Sequence, residues 1–162
     1  MKTTKNIIVA FISAAFIACS TMTPAEKAIN EKMTAEKTWA AVKNKRFRID
    51  VDYATPLGRR TIAMTPGFSL KVAGDSVYSF IPYYISTLSR TQKAEYGFYF
   101  NEVSYDYHTS FSAQDEAKVA FKVKNTKDTY TFDLLIYDNG KAEVTISSLN
   151  LKEIRYQGRL VE

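Results

Sequence analysis

Tyr130-Thr131-Phe132-Asp133-Leu134-Leu135-Ile136-Tyr137-Asp138-Asn139-Gly140-Lys141-Ala142-Glu143-Val144-Thr145-Ile146-Ser147 carries the plainest structural signal in this 162-residue chain. Tyr130, Phe132, Leu134 and Ile136 recur at every second position, as do Val144 and Ile146. Such alternation gives a strand one apolar face and one wet face. Between the two runs stands Asn139-Gly140. A type I′ turn needs positive φ at both central residues, which Asn and Gly tolerate, so the pair predicts a hairpin joining residues 130–137 to 141–147.

The same period of two appears elsewhere. Phe47, Ile49, Val51 and Tyr53 interleave with Arg46, Arg48, Asp50 and Asp52, and further runs are Phe68, Leu70, Val72; Val103, Tyr105, Tyr107; and Val119, Phe121, Val123. Turn residues separate them at Pro56-Leu57-Gly58, Thr65-Pro66-Gly67, Gly74-Asp75 and Asn125-Thr126-Lys127-Asp128. The pattern predicts a mostly β fold, an antiparallel up-and-down meander of about 8–10 strands. It would close as a lipocalin-like barrel or fold as a sandwich. Upstream, Thr23-Pro24-Ala25-Glu26 is a capping box with Pro at the first helical position. Ala25, Ile29, Met33, Ala35, Trp39 and Val42 follow at helical spacing, which predicts an amphipathic helix over residues 24–44. Trp39 and Met33 are expected to pack that helix on a β-domain spanning residues 45–162, the two forming one domain.

Residues 1–18 have the layout of a secretory signal: Lys2 and Lys5, then an apolar run from Ile7, then Ala18 before Cys19. The run is shorter than the roughly 20 residues a membrane-crossing helix needs. Phe16-Ile17-Ala18-Cys19 resembles a bacterial lipobox, with Phe16 where Leu is usual. Cys19 is therefore the expected lipid attachment point, and residues 19–23 a short tether. Several acyl chains would hold the protein on a membrane. Ser20 and the absence of an acidic cluster after the cysteine favour the periplasmic face of the outer membrane.

Composition narrows the chemistry. Of 22 basic residues two lie in the leader, which leaves a surplus of three over the 17 acidic ones, interspersed along the chain. A nucleic-acid binder needs a concentrated basic stripe, and none is visible. One His and one Cys leave little for nucleophilic or zinc chemistry, so no enzyme, cofactor or metal is implied. His108 falls with Ser104 and Asp106 on the polar face of its strand. Asp50 and Asp52 share a face and would make a carboxylate-dependent hydrolase only if buried together; Arg46 and Arg48 beside them favour surface ion pairs.

The unusual concentration is aromatic. Half of the chain's 11 Tyr, 10 Phe and 1 Trp lie between Ser76 and Phe111. Within that stretch residues 85–95 form a polar loop flanked by Tyr83, Tyr84, Tyr96 and Tyr99, the candidate ligand-binding residues. The competing reading is that these rings pack the core. The preferred function is a non-enzymatic envelope module that binds an apolar or amphipathic ligand or an envelope protein there. The alternative is a structural or assembly factor acting through a sheet face or strand edge.

Pro56-Leu57-Gly58-Arg59-Arg60, the stretch from Met64 to Val77 with its Thr65-Pro66-Gly67-Phe68 core, Ile81-Pro82-Tyr83-Tyr84, Asp128-Thr129-Tyr130-Thr131-Phe132 and Asn139-Gly140 together resemble an exported Bacteroidetes family, domain of unknown function 4251. The likeness runs from about the helix end to Glu162. It implies a small β-rich, secreted or lipid-anchored domain and supplies no activity or catalytic residues. That family often has a glycine-rich stretch after the Pro-Tyr-Tyr element, where this chain has residues 85–95 without glycine.

The mature protein is expected to start at an acylated Cys19. Intact mass spectrometry of the membrane fraction tests this, and a different terminus or an unmodified Cys19 would remove the anchor.

Overall fold

The computed structural model describes residues 23–83, 97–112 and 115–161. Residues 1–22, which hold the expected signal and Cys19 and all of the expected tether but Thr23, lie outside the described residues, as do Tyr84, Tyr96 and the 85–95 segment. Helix α1 spans Pro24–Lys43. Its capping box forms in both directions: the Glu26 amide donates to Thr23 Oγ1 at 3.3 Å and the Thr23 amide donates to Glu26 Oε2 at 2.8 Å. These bonds satisfy two amides that the first turn leaves without helical partners. They also hold the Glu26 carboxyl below its usual range. After the C-cap Asn44, Lys45 takes a left-handed φ of 51° and swings the chain into the first strand.

The described strands are β1 Arg46–Pro56, β2 Ile62–Ala63, β3 Ser69–Ala73, β4 Ser76–Pro82, β5 Gly97–Ser112, β6 Glu116–Lys124, β7 Thr129–Tyr137, β8 Lys141–Ser148 and β9 Ile154–Val161. Each pairs antiparallel with its neighbour in chain order, except that β1 pairs with both β2 and β3. Pairing of β1 with β9 from Arg48–Val161 to Pro56–Ile154 closes the circle. The result is an eight-stranded up-and-down barrel with short β2 beside the end of β1, and the sandwich alternative falls away. Leu70, Val72, Val119, Phe121, Phe132, Ile136, Val144 and Ile146 fill the interior, while Arg48, Lys71, Lys118, Asp133 and Arg155 lie outside. Membrane-spanning barrels have the reverse polarity, with an apolar outer band. No described helix is long and apolar enough to cross a membrane.

Two strands change phase. In β1 a bulge between Val51 and Tyr53 lets Ala54 take the next inward position, so Tyr53 is 47% exposed instead of joining the core. In β5 Phe98 and Ser104 point inward, and a second bulge between Tyr105 and His108, with Asp106 at φ 53°, keeps Tyr107 partly buried. Val103 and Tyr105 therefore lie outside, at 66% and 41% exposure, and Ser104 is buried, its hydroxyl donating to the Asp75 carbonyl at 3.1 Å. The expected grouping of Val103 with Tyr107, and of Ser104 with Asp106 and His108, is thus corrected. A bulge adds one residue to one strand and inverts the alternation beyond it.

The hairpin at Asn139-Gly140 also differs from the expected type I′ turn. Gly140 has φ 78°, whereas Asn139 is not among the positive-φ residues. The Gly140 amide donates to the Tyr137 carbonyl at 3.0 Å. This is the three-residue solution, a turn followed by a left-handed glycine.

Helix α1 docks through its C-terminal part. Thr38 and Val42 are buried, and Trp39 meets Phe111 edge-on at 5.8 Å. Residues 24–34 are exposed, Met33 at 51%, because the helix runs beyond the wall that its last turns touch. The expected Met33 contact is absent.

Closure places Gly158 against the β1 bulge, where a Cβ would fall on the Asp50 carbonyl and approach Val51 Cα to 3.0 Å. Backbone on both sides cannot yield. Gly158→Ala should cost more than about 2 kcal/mol in urea denaturation, the range of overpacked core changes. A loss under about 0.5 kcal/mol would mean that the β1–β9 seam is looser than its register implies.

Candidate functional site

The aromatic middle of the chain divides into an inner and an outer population. Inside, Tyr107 stacks on Phe121 (5.7 Å, 8°) and Phe121 on Phe132 (5.0 Å, 9°). Phe132 meets Phe100 edge-on at 6.0 Å, and Phe100 stacks on Tyr130 (5.8 Å, 3°). Tyr130 and Tyr83 each present an edge contact to Phe98, at 5.3 and 5.8 Å. These rings form a continuous column along the barrel. At the end away from α1, the Tyr83 hydroxyl donates to the Lys152 carbonyl at 3.1 Å and the Tyr156 hydroxyl to the Pro82 carbonyl at 2.8 Å. Burial pushes the Tyr83, Tyr107 and Tyr130 hydroxyls above the usual phenol range, which keeps them neutral.

Outside, the β3–β5 wall carries apolar side chains in water. Phe80 is 56% exposed and lies between Phe68 (5.7 Å) and Tyr99 (5.1 Å). Tyr78 lies beside them with the Lys71 ammonium 5.6 Å from its ring, and Val103 and Tyr105 continue the surface along β5. Tyr99 reaches back along its strand: a Cβ on Gly97 would overlap its ring. The stripe borders polar groups, including Lys122, whose ammonium holds Asp106 at 3.0 Å and titrates higher for it.

Of the four residues read as a binding rim, Tyr99 is on the outer stripe, Tyr83 is 6% exposed inside the column, and Tyr84 and Tyr96 are outside the described residues. Tyr83 thus leaves the rim for the core, because just after β4 its ring packs on Phe98 and its hydroxyl reaches the Lys152 carbonyl. Sequence reasoning missed Tyr78, Phe80, Val103 and Tyr105 as surface. A signal was present: in Ser76–Pro82 both alternating sets are apolar, Val77 and Ile81 in one, Tyr78 and Phe80 in the other.

The other candidates are simple. His108 is exposed. Arg48 grips both Asp50 oxygens at 2.7 and 2.9 Å, and Asp52 is exposed, so this pair lacks the shared burial that acid–base work demands. Among the described residues no three His, Cys, Asp or Glu side chains converge for a metal.

The inner and outer populations make opposite forecasts. Tyr83→Ala should cost about 3–5 kcal/mol in thermal or chemical unfolding, as buried aromatic truncations do. Tyr99→Ala should stay within about 1 kcal/mol. Similar losses at both positions would erase the distinction.

A search of curated proteins finds no match. Among solved structures, the crystal structure of a DUF4251 family protein from Bacteroides eggerthii superposes with a TM-score of 0.67 at 14% identity, covering 82% of this chain and 90% of that one. At that identity the likeness speaks for the fold. The sequence model described as "Domain of unknown function (DUF4251)" matches residues 30–160, which includes every strand but the last residue of β9. The chain belongs to the DUF4251 family.

Proposed function

We propose that this protein is a non-enzymatic module of the bacterial cell envelope, tethered through Cys19 to the outer membrane on its periplasmic side, and that it holds a protein partner on the outer face of β3–β5. The observation that supports this reading is the stripe of Phe80, Tyr78, Tyr99, Val103 and Tyr105, all between 37% and 66% exposed on one wall. Exposed aromatics cost solubility when they contact nothing, and a contiguous cluster rimmed by polar groups is the surface that a partner covers. Rigid rings lose little entropy on binding, which suits them as anchors. The column of rings occupies the barrel axis among the described residues, which turns the reading from an internal ligand toward this outer wall.

Site-specific photo-crosslinking in intact cells tests it. A benzoyl-phenylalanine at Phe80 or at Val103 should give one discrete protein adduct, and the same group at exposed Asp133 on β7 should give none. Tyr78→Ser with Tyr105→Ser should abolish the adduct without lowering the amount of folded protein. Equal adduct patterns from all three positions, or adducts that survive the double substitution, would end the proposal.

A further inference from the structure

We infer that the cleft between α1 and the adjoining barrel end binds a single anionic amphiphile, an acyl chain with a phosphate or carboxylate head. The cleft has a volume of about 930 Å³, within the usual span for one small-molecule ligand. Lys37, Arg46, Arg48 and Lys71 line it, and among the described residues no acidic side chain does. Its floor is apolar, with Ala41 of α1 and Leu160 of β9 packed against the core.

The strand register explains why these charges call for an anion. Arg48 lies directly opposite Lys71 across the β1–β3 pair, and Arg46 is two residues along the same outer face. Like charges facing one another across strands destabilise a sheet unless something neutralises them. Asp50 meets part of the Arg48 charge, and the Tyr78 ring lies under Lys71. Neither Arg46 nor Lys71 has a carboxylate in salt-bridge range among the described residues. A guanidinium presents a planar fork that matches phosphate or carboxylate oxygens. The apolar floor adds a place for an alkyl chain, and α1 and the barrel end flank it on two sides, whereas a bilayer surface would meet only the rim.

Isothermal titration of the mature chain with dodecyl phosphate, kept below its micelle concentration, tests the site. One-to-one binding is expected, weakening with added salt. Arg46→Gln with Lys71→Gln should lower affinity at least tenfold, and Ala41→Glu should abolish binding. The replaced cations are exposed, and circular dichroism melts establish that the variants fold; Lys71→Gln alone serves if the double variant does not. Equal binding of inorganic phosphate would reduce the site to an ion site, and equal binding of dodecyl maltoside to apolar adsorption. Binding to anionic vesicles without binding of the monomer would make it a membrane surface. Each of these, or an unchanged affinity in the cation variants, overturns the inference.

Discussion

Stacked rings along the barrel axis are the constraint on which this structure rests. An eight-stranded barrel is just wide enough for side chains to fill it, and here the filling is aromatic from Tyr107 through Phe121, Phe132, Phe100, Tyr130 and Phe98 to Tyr83. Fully burying one such ring contributes about 1.5–3 kcal/mol by transfer, and favourable ring geometry adds about 0.5–1.5 kcal/mol per pair. The rings come from β5, β6 and β7 and from Tyr83 just after β4, so the column ties successive strands of the meander to one another. At the end away from the helix the hydroxyls of Tyr83 and of Tyr156 beside the column find backbone carbonyls, which spares the barrel an unsatisfied polar group there.

Closure imposes the second layer of order. β5 pairs with β4 over its first seven residues and with β6 over the remainder. The strand therefore outruns β4, and the helix reaches its far end: Trp39 meets Phe111, and the Lys43 ammonium lies 5.4 Å from the same ring. Lys45, at the joint between helix and barrel, places its ammonium 4.3 Å from the Tyr107 ring and 3.3 Å from Asp75. These contacts are exposed and individually weak, but they fix where the helix leaves the barrel, and so where the basic cleft opens. Gly158 does the corresponding work at the seam, where β1 bulges into the space a side chain would need.

Among the described residues the inner wall is covered by packed rings and aliphatic side chains, and these contribute stability. Two outer surfaces of the described barrel differ in chemistry, an aromatic wall on β4 and β5 and a cationic cleft beside α1. They meet at β3, where the Lys71 ammonium lies 5.6 Å from the Tyr78 ring.

Period-two alternation in β6, β7 and β8 was legible directly, because each of those strands has one set that is apolar throughout and no bulge. The helix start was equally plain, since a capping box needs only neighbours three residues apart. In β1 and β5 the reading went astray at Tyr53, Val103, Ser104 and Tyr105, for two physical reasons. A bulge inverts the phase partway along a strand without leaving a residue signature, and a strand with apolar residues in both sets does not announce which set faces inward. Tyr83 and Tyr99 looked alike for the same reason, and their separation depends on tertiary contacts, Tyr83 packing inward on Phe98 and Tyr99 outward on Phe80. What the chain spells out locally is therefore its β character, its helix cap and its turns. The inside and outside of each strand, the seam at Gly158 and the facing of Arg48 with Lys71 arise only when closure sets the register, because these are relations between residues far apart in the chain.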